Sequence, residues 1–218
     1  MEVKTQNIIK SIHNNDERLI GVYVGLWLGD GTQYFDRGYT IKICSNKRDV
    51  LLNKFIQELI FEIFGKNTIL VEEKDTNRAY IKFKSKFIFD FIQNYVNYYA
   101  GKKTYTAKLR KRAGSYTKPF LEGCLLGLAL SDGYLKDKFV FSVTSSRLAK
   151  NIYDILKNFK YDPHCYIQRR EKYRWKNIHT VYLSSKQSSK LELLLNRIIK
   201  DMGFQYSFKE LKYGPAQI

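Results

Sequence analysis

Two aspartates stand at the same place in two similar segments. Leu19-Ile-Gly-Val-Tyr-Val-Gly-Leu-Trp-Leu-Gly-Asp-Gly31 and Leu121-Glu-Gly-Cys-Leu-Leu-Gly-Leu-Ala-Leu-Ser-Asp-Gly133 align with Asp30 opposite Asp132, at an offset of 102 residues. At that offset Gly21 meets Gly123, Gly25 meets Gly127, Gly29 meets Ser131 and Gly31 meets Gly133. Both segments are apolar and too short to span a membrane, so they predict buried helices. Gly31 and Gly133 then suit the left-handed position past a helix end, which leaves each aspartate at a C-terminal end, where the helix dipole opposes a carboxylate. Two such acids brought together repel each other as well. A divalent cation between them relieves both penalties, and hard oxygen ligands suit Mg2+ or Ca2+, with Mn2+ as a mimic.

Residues four apart share one helix face, so Gly21, Gly25 and Gly29 form a small-residue stripe, and Gly123, Gly127 and Ser131 form its counterpart. Each interior glycine costs roughly 1 kcal/mol relative to alanine, and close contact between two helices is a compensating reason. The two motif helices are therefore expected side by side at a pseudo-two-fold axis.

The elements after each motif repeat too. Alternating runs, Tyr39–Ser45 and Phe139–Ser145, predict strands with one buried face. Helices are predicted over Asp49–Phe64 and Ser146–Phe159. Hairpins come next, Thr68–Glu73 with Arg78–Lys84 and Cys165–Arg170 with Arg174–Ser184. A last helix closes each half, near Lys86–Tyr99 and Lys186–Asp201. The reading is an α+β fold of two pseudo-symmetric αββαββα halves: residues 1–100, a basic linker 101–118, and residues 119–218.

Charge narrows the partner. Among 218 residues, 38 Lys and Arg face 21 Asp and Glu, a formal +17. Such an excess favours a polyanion. Three scattered cysteines, Cys44, Cys124 and Cys165, predict an intracellular, reducing compartment rather than a disulfide framework or zinc site. The polar stretch from Met1 to Arg18 does not read as a signal peptide, and no membrane association is expected. His13, His164 and His179 lack metal-ligand spacing.

In spacing and duplication, Tyr23–Gly31 and Leu125–Gly133 resemble two copies of the LAGLIDADG motif of the single-chain homing endonucleases, and the resemblance covers nearly the whole chain. It implies motif helices packed at the interface between two halves, each laying a curved antiparallel sheet along the major groove of double-stranded DNA. It implies hydrolysis of one phosphodiester in each strand across the minor groove, with Asp30 and Asp132 as metal ligands and the backbone carbonyls of Gly29 and Ser131 completing the coordination. The metal would be Mg2+, with Ca2+ as a non-cleaving substitute. A basic residue near each scissile phosphate is a recurrent feature; Lys103, before Lys102, is the candidate in the first half and Lys209, with Lys212 close behind, in the second. Where many relatives carry Gln or Lys after the second strand, this chain has Ser45-Asn-Lys47 and Ser145-Ser-Arg147, so Lys47 and Arg147 are the candidates there.

Strand alternation names the face toward DNA: Thr40, Lys42, Arg78, Tyr80, Lys82 and Lys84 in the first half. In the second half it names Ser142, Thr144, Thr180, Tyr182 and Ser184, joined by Gln168, Arg170, Arg174 and Lys176. Arg and Gln suit base edges, whereas most of the lysines would contact phosphate. Two halves that each supply an active site predict a monomer. The same family includes intron maturases, whose partner is an intron RNA, and catalytically inactive DNA-binding regulators; these are the alternatives.

Overall fold

The structure is a computed structural model and describes residues 14–170 and 176–214. Its axis is a pair of helices, α1 (Asn14–Asp30) and α5 (Lys118–Ser131). Apolar on nearly every side, they are buried on nearly every side: in α5 every residue from Phe120 to Leu130 is buried. The glycine stripes explain how close they come. A Cβ on Gly25 would overlap the Cys124 carbonyl oxygen and lie 3.0 Å from the Cα of Gly127. A Cβ on Gly127 would overlap the Val22 carbonyl oxygen and lie 3.0 Å from the Cα of Gly25. The contact is reciprocal, as a pseudo-two-fold axis requires.

Each axial helix runs into a four-stranded antiparallel sheet. In the first half β1 (Gly31–Phe35), β2 (Tyr39–Asn46), β3 (Ile69–Glu72) and β4 (Arg78–Lys84) lie in the order β1-β2-β4-β3. In the second, β7 (Gly133–Leu135), β8 (Phe139–Val143), β9 (His164–Gln168) and β10 (Ile178–Tyr182) lie in the order β7-β8-β10-β9. The registers match: Gly31 pairs with Ile43 and Ile43 with Ile81, while Gly133 pairs with Phe141 and Phe141 with Val181. One face of each sheet packs on helices. Ile41, Ile43, Ile81 and Phe83 are buried in one half and Phe139, Phe141 and Val181 in the other. Helices α2 (Val50–Phe64), α3 (Lys86–Ile92), α6 (Ser146–Asn158) and α7 (Ser185–Asp201) complete the halves. The architecture is α+β, with each half ordered as the repeat predicts; α3 stops at Ile92, short of the expected Tyr99.

Gly31 and Gly133 have a different reason from the expected one. Neither is among the glycines of positive φ. A Cβ on Gly31 would lie 2.6 Å from Trp27, and one on Gly133 would lie 2.7 Å from the Ala129 Cα. The demand is steric clearance where each helix turns into its strand.

The connecting segment is folded. It carries β6 (Lys108–Leu109), paired with β5 (Val96–Asn97), the short helix α4 (Lys103–Thr106) and a 3-10 turn at Ala113–Ser115. It leans on the second half: the Leu109 amide donates to Asn151 Oδ1 at 2.9 Å and Ser145 Oγ to the Ala107 carbonyl at 2.8 Å. The C-terminal tail leans the opposite way. Phe204 packs edge-on against Phe55 of α2 at 4.8 Å, and the Tyr206 hydroxyl donates to Glu58 at 3.2 Å. The tail ends in α8 (Phe208–Tyr213), held by a reciprocal capping box between Ser207 and Glu210. Each half thus passes its last segment across the axis to the other. Among the described residues no helix is long and apolar enough to cross a membrane.

Candidate active site and nucleic-acid surface

The helix pair ends in a cluster of opposed charges. Asp30 closes α1 and Asp132 caps α5. They meet because the stripe ends in small residues: a methyl on Gly29 would overlap the Ser131 hydroxyl and lie 3.1 Å from Asp132 Oδ2. Two lysines arrive on the exchanged tails. Lys103, in α4, donates its ammonium to the Gly29 carbonyl at 2.9 Å and lies 4.8 Å above the Trp27 ring. Lys212, in α8, donates to the carbonyls of Leu130 and Ser131 at 2.7 and 2.6 Å. Each ammonium thus sits on the negative end of a helix dipole.

Burial dominates the electrostatics. It pushes the Asp30 carboxyl up to about 6, helped by the Asp132 charge and opposed by Lys212 and Lys103. Burial also raises Asp132 against the pull of both lysines. It lowers Lys103 to about 8, opposed by Asp132 and Asp30, and it lowers Lys212. A third acid joins them. Asp49 stands at the N-cap position of α2, yet its side chain makes no capping hydrogen bond. It lines, with Asp30, Asn46, Arg78, Tyr80 and Lys212, a cleft of about 480 Å³. Burial raises its carboxyl, while a backbone hydrogen bond from Asn46 and the Lys212 charge hold it down.

Among the described residues no group of three or more His, Cys, Asp or Glu is arranged to hold a metal by side chains alone. The oxygen donors that converge are the half-buried Asp30 carboxylate, the more exposed Asp132 carboxylate and the carbonyls of Gly29 and Ser131, the last two already binding cationic nitrogen. A hard divalent cation fits this donor chemistry.

The structure brings Asp30, Asp132, Gly29, Ser131 and Lys103 together. Lys209 is not with them: it is exposed, 3.1 Å from Glu192, and Lys212, one turn of α8 further on, occupies the place expected of it. The signal for α8 was present in the sequence, since Ser207-Phe-Lys-Glu210 is a capping-box pattern. Asp49 could also have been found, as an acid at the start of a predicted helix.

Register puts the first-half candidates on one open face: Thr40 opposite Lys84, Lys42 opposite Lys82, Asn46 opposite Arg78, with Tyr80 opposite Cys44. Lys42 lies 4.3 Å above the Tyr80 ring. Thr40 departs from expectation: flanked in register by the longer Tyr34 and Lys84, it is only 1% exposed. Lys47 lies off this stripe, 3.9 Å from Glu72. In the second half Ser142 and Tyr182 lie on the open face, with Gln168 at the end of β9. Thr180, expected outward, is buried and shares a 2.9 Å hydrogen bond with Ser142. The Thr144 hydroxyl is turned to the linker, donating to the Thr104 carbonyl at 2.8 Å. Arg147 is exposed in the first turn of α6, and Lys176 is exposed at the hairpin end. The Arg170 amide donates to Asn177 Oδ1 at 3.1 Å. Arg174 lies outside the described residues.

Neither protein-family models nor curated protein sequences match the chain. Solved structures match its shape. One of I-DmoI in complex with DNA and calcium has a TM-score of 0.63 at 14% identity, covering 84% of this chain and 91% of that one. One of I-DmoI with DNA and manganese has a TM-score of 0.60 at 14% identity, covering 83% and 97%. The N-terminal LAGLIDADG domain of DUF199/WhiA has a TM-score of 0.54 at 15% identity, covering 84% and 83%. At these identities the likeness is one of fold, and the fold is that of LAGLIDADG proteins.

Proposed function

We propose that this chain is a site-specific double-strand DNA endonuclease of the monomeric, two-motif LAGLIDADG type, which acts in intron homing. The observation that carries the reading is the convergence of Asp30 and Asp132 at the ends of two glycine-packed helices, with Lys103 and Lys212 beside them. I-DmoI, whose fold this chain shares, has been seen with DNA and with calcium or manganese.

Asp30 and Asp132, with the Gly29 and Ser131 carbonyls, would hold Mg2+; Ca2+ would bind without supporting cleavage, and Mn2+ would substitute. Bound there, the cation would supply a hydroxide-like water and neutralise the phosphate. The residues themselves do the rest. The carboxylates gather positive charge at the helix ends. Lys103 and Lys212 place an ammonium where charge develops on the phosphoryl oxygens. The open sheet faces, basic in the first half, hold the duplex through phosphate and base-edge contacts. One chain carries both acids, so a monomer suffices, with residues 1–100 and 119–218 as the two half-site units and 101–118 joining them.

One observation favours a second reading, DNA binding without cleavage. The Gly29 and Ser131 carbonyls are taken up by lysine ammoniums, which would have to give way to a metal.

The test is to incubate the protein and Mg2+ with a randomised library of long duplexes and sequence the ends, with Asp30→Asn and Asp132→Asn alongside. Cuts of fixed stagger at one long motif, lost in both variants, are the expected result. Selective binding without cuts would establish the second reading, and preference for structured intron RNA would replace both with a maturase.

A further inference from the structure

The two open sheet faces are built alike and charged differently. Register equates Ile43 with Phe141 and Ile81 with Val181, so neighbouring positions can be compared one for one. Where the first face has Lys42, the second has Val140; where it has Arg78, Ile178; where it has Lys82, Tyr182. The difference lies in the central strands: on the edge strands register turns Ile69 and Val71 to the first face, and His164, Tyr166 and Gln168 to the second. Within β7–β10 no Lys or Arg lies on the open face. The second half's described cations near this face, such as Lys138, Arg169 and Lys176, stand at the strand ends.

We propose that the central strands of the second sheet, β8 and β10, read their part of the target by apolar contact of Val140 and Ile178 with thymine methyl groups, whereas β2 and β4 of the first read and grip by charge. The inference rests on the endonuclease reading above, which lays both faces in the major groove. A Lys or Arg there bonds guanine O6 and N7 or a phosphate. Val140 and Ile178, which stand where two of those cations would be, can bond neither, and the polar side chains beside them include the uncharged Ser142, Gln168 and Tyr182. The one apolar feature on a major-groove edge is the C5 methyl of thymine. The face is continuous, through β7 and Gly133, with the Asp132 end of the active site, so the duplex that reaches the acids also covers it. The strand-end cations would hold phosphates on either side. The result is an asymmetric target, with thymines concentrated in one half.

Thymine-to-deoxyuridine substitution tests this directly, because it removes the methyl and leaves every hydrogen-bonding group in place. The probe is the duplex selected from the random library, bound with Ca2+ in place of Mg2+. Deoxyuridine is introduced into one half-site at a time. Affinity is expected to fall roughly three- to fourfold for each contacted methyl, as for a buried methylene, and more in one half than in the other. Ile178→Arg and Val140→Lys, which install the counterpart cations, are expected to abolish that dependence and steepen the salt dependence of binding. Equal sensitivity in both halves, or none, would overturn the inference while leaving the endonuclease reading intact. Failure to select any duplex would overturn both.

Discussion

Lys212 donates its ammonium to the Ser131 carbonyl at 2.6 Å, although 81 residues separate them. The C-terminal tail has crossed to the first half, Lys212 lines the cleft that holds Asp30 and Asp49, and its bond is to the end of the second motif helix. Lys103 makes the reciprocal bond to Gly29 from the other tail.

These lysines should act in the chemical step. Lys212→Met is expected to slow single-turnover cleavage on the order of a hundredfold, as loss of a preorganised charge does. Binding to the same duplex in Ca2+ should change only a few-fold. Lys209→Met, which disturbs only an exposed pair with Glu192, should leave the rate within about twofold. Equal loss in both variants would show that the lysines serve general electrostatic binding instead.

The Asp30 carboxyl gives a pH signature. Its folded value of about 6 lies above that of an unfolded chain. Between the two values the folded state binds more protons, so the stability this group contributes is complete below about pH 4 and is lost as pH rises through about 6. In metal-free buffer, the unfolding temperature of wild type relative to Asp30→Asn should therefore fall across that window. A divalent cation needs the carboxylate, so stabilisation by Ca2+ should be weak at about pH 5 and strong at about pH 7.5. A pH-independent Ca2+ effect in calorimetry would argue against ligation by this acid.

The helix contact predicts a contrast between two glycines. Gly127→Ala drives a methyl into the Val22 carbonyl and to 2.7 Å from the Leu26 amide nitrogen. Backbone at both contacts cannot yield cheaply, so urea unfolding should report a loss of about 3 kcal/mol or more, despite the better helix propensity of alanine. At Gly114 a methyl would meet nothing within 4 Å, and φ there is not left-handed. Gly114→Ala should be neutral or stabilising by about 0.5 kcal/mol.

At the other end of the axis, Glu122 is 4% exposed and accepts from Arg18 Nη2 at 2.8 Å and Nε at 3.2 Å. Removing only the arginine leaves a buried charge with the more distant Arg197 at 3.6 Å. Arg18→Met should destabilise by about 3 kcal/mol, and adding Glu122→Leu should restore most of it. Additive losses in the double variant, measured by denaturant unfolding, would refute the coupling.

Local pattern determined much of this protein. The duplicated glycine-acid motif is a spacing of 3.6-residue turns, and it identified the helices, their mutual contact and the acids at their ends. Period-2 alternation gave the buried and open faces of β2, β4, β8 and β10, because strand parity is a local property. Tertiary structure decided what local pattern cannot carry. The tails cross the axis because Phe204 and Tyr206 find Phe55 and Glu58 on α2, and that crossing makes Lys212 rather than Lys209 the neighbour of the acids. Asp49 joins them only because the β2–α2 turn faces the same cleft. Thr40 is buried although its parity is outward, since longer cross-strand neighbours flank it. Gly31 and Gly133 are required by the approach of Trp27 and Ala129, not by their own φ. In each case the deciding atom belongs to a side chain or backbone that the residue's own local pattern does not specify.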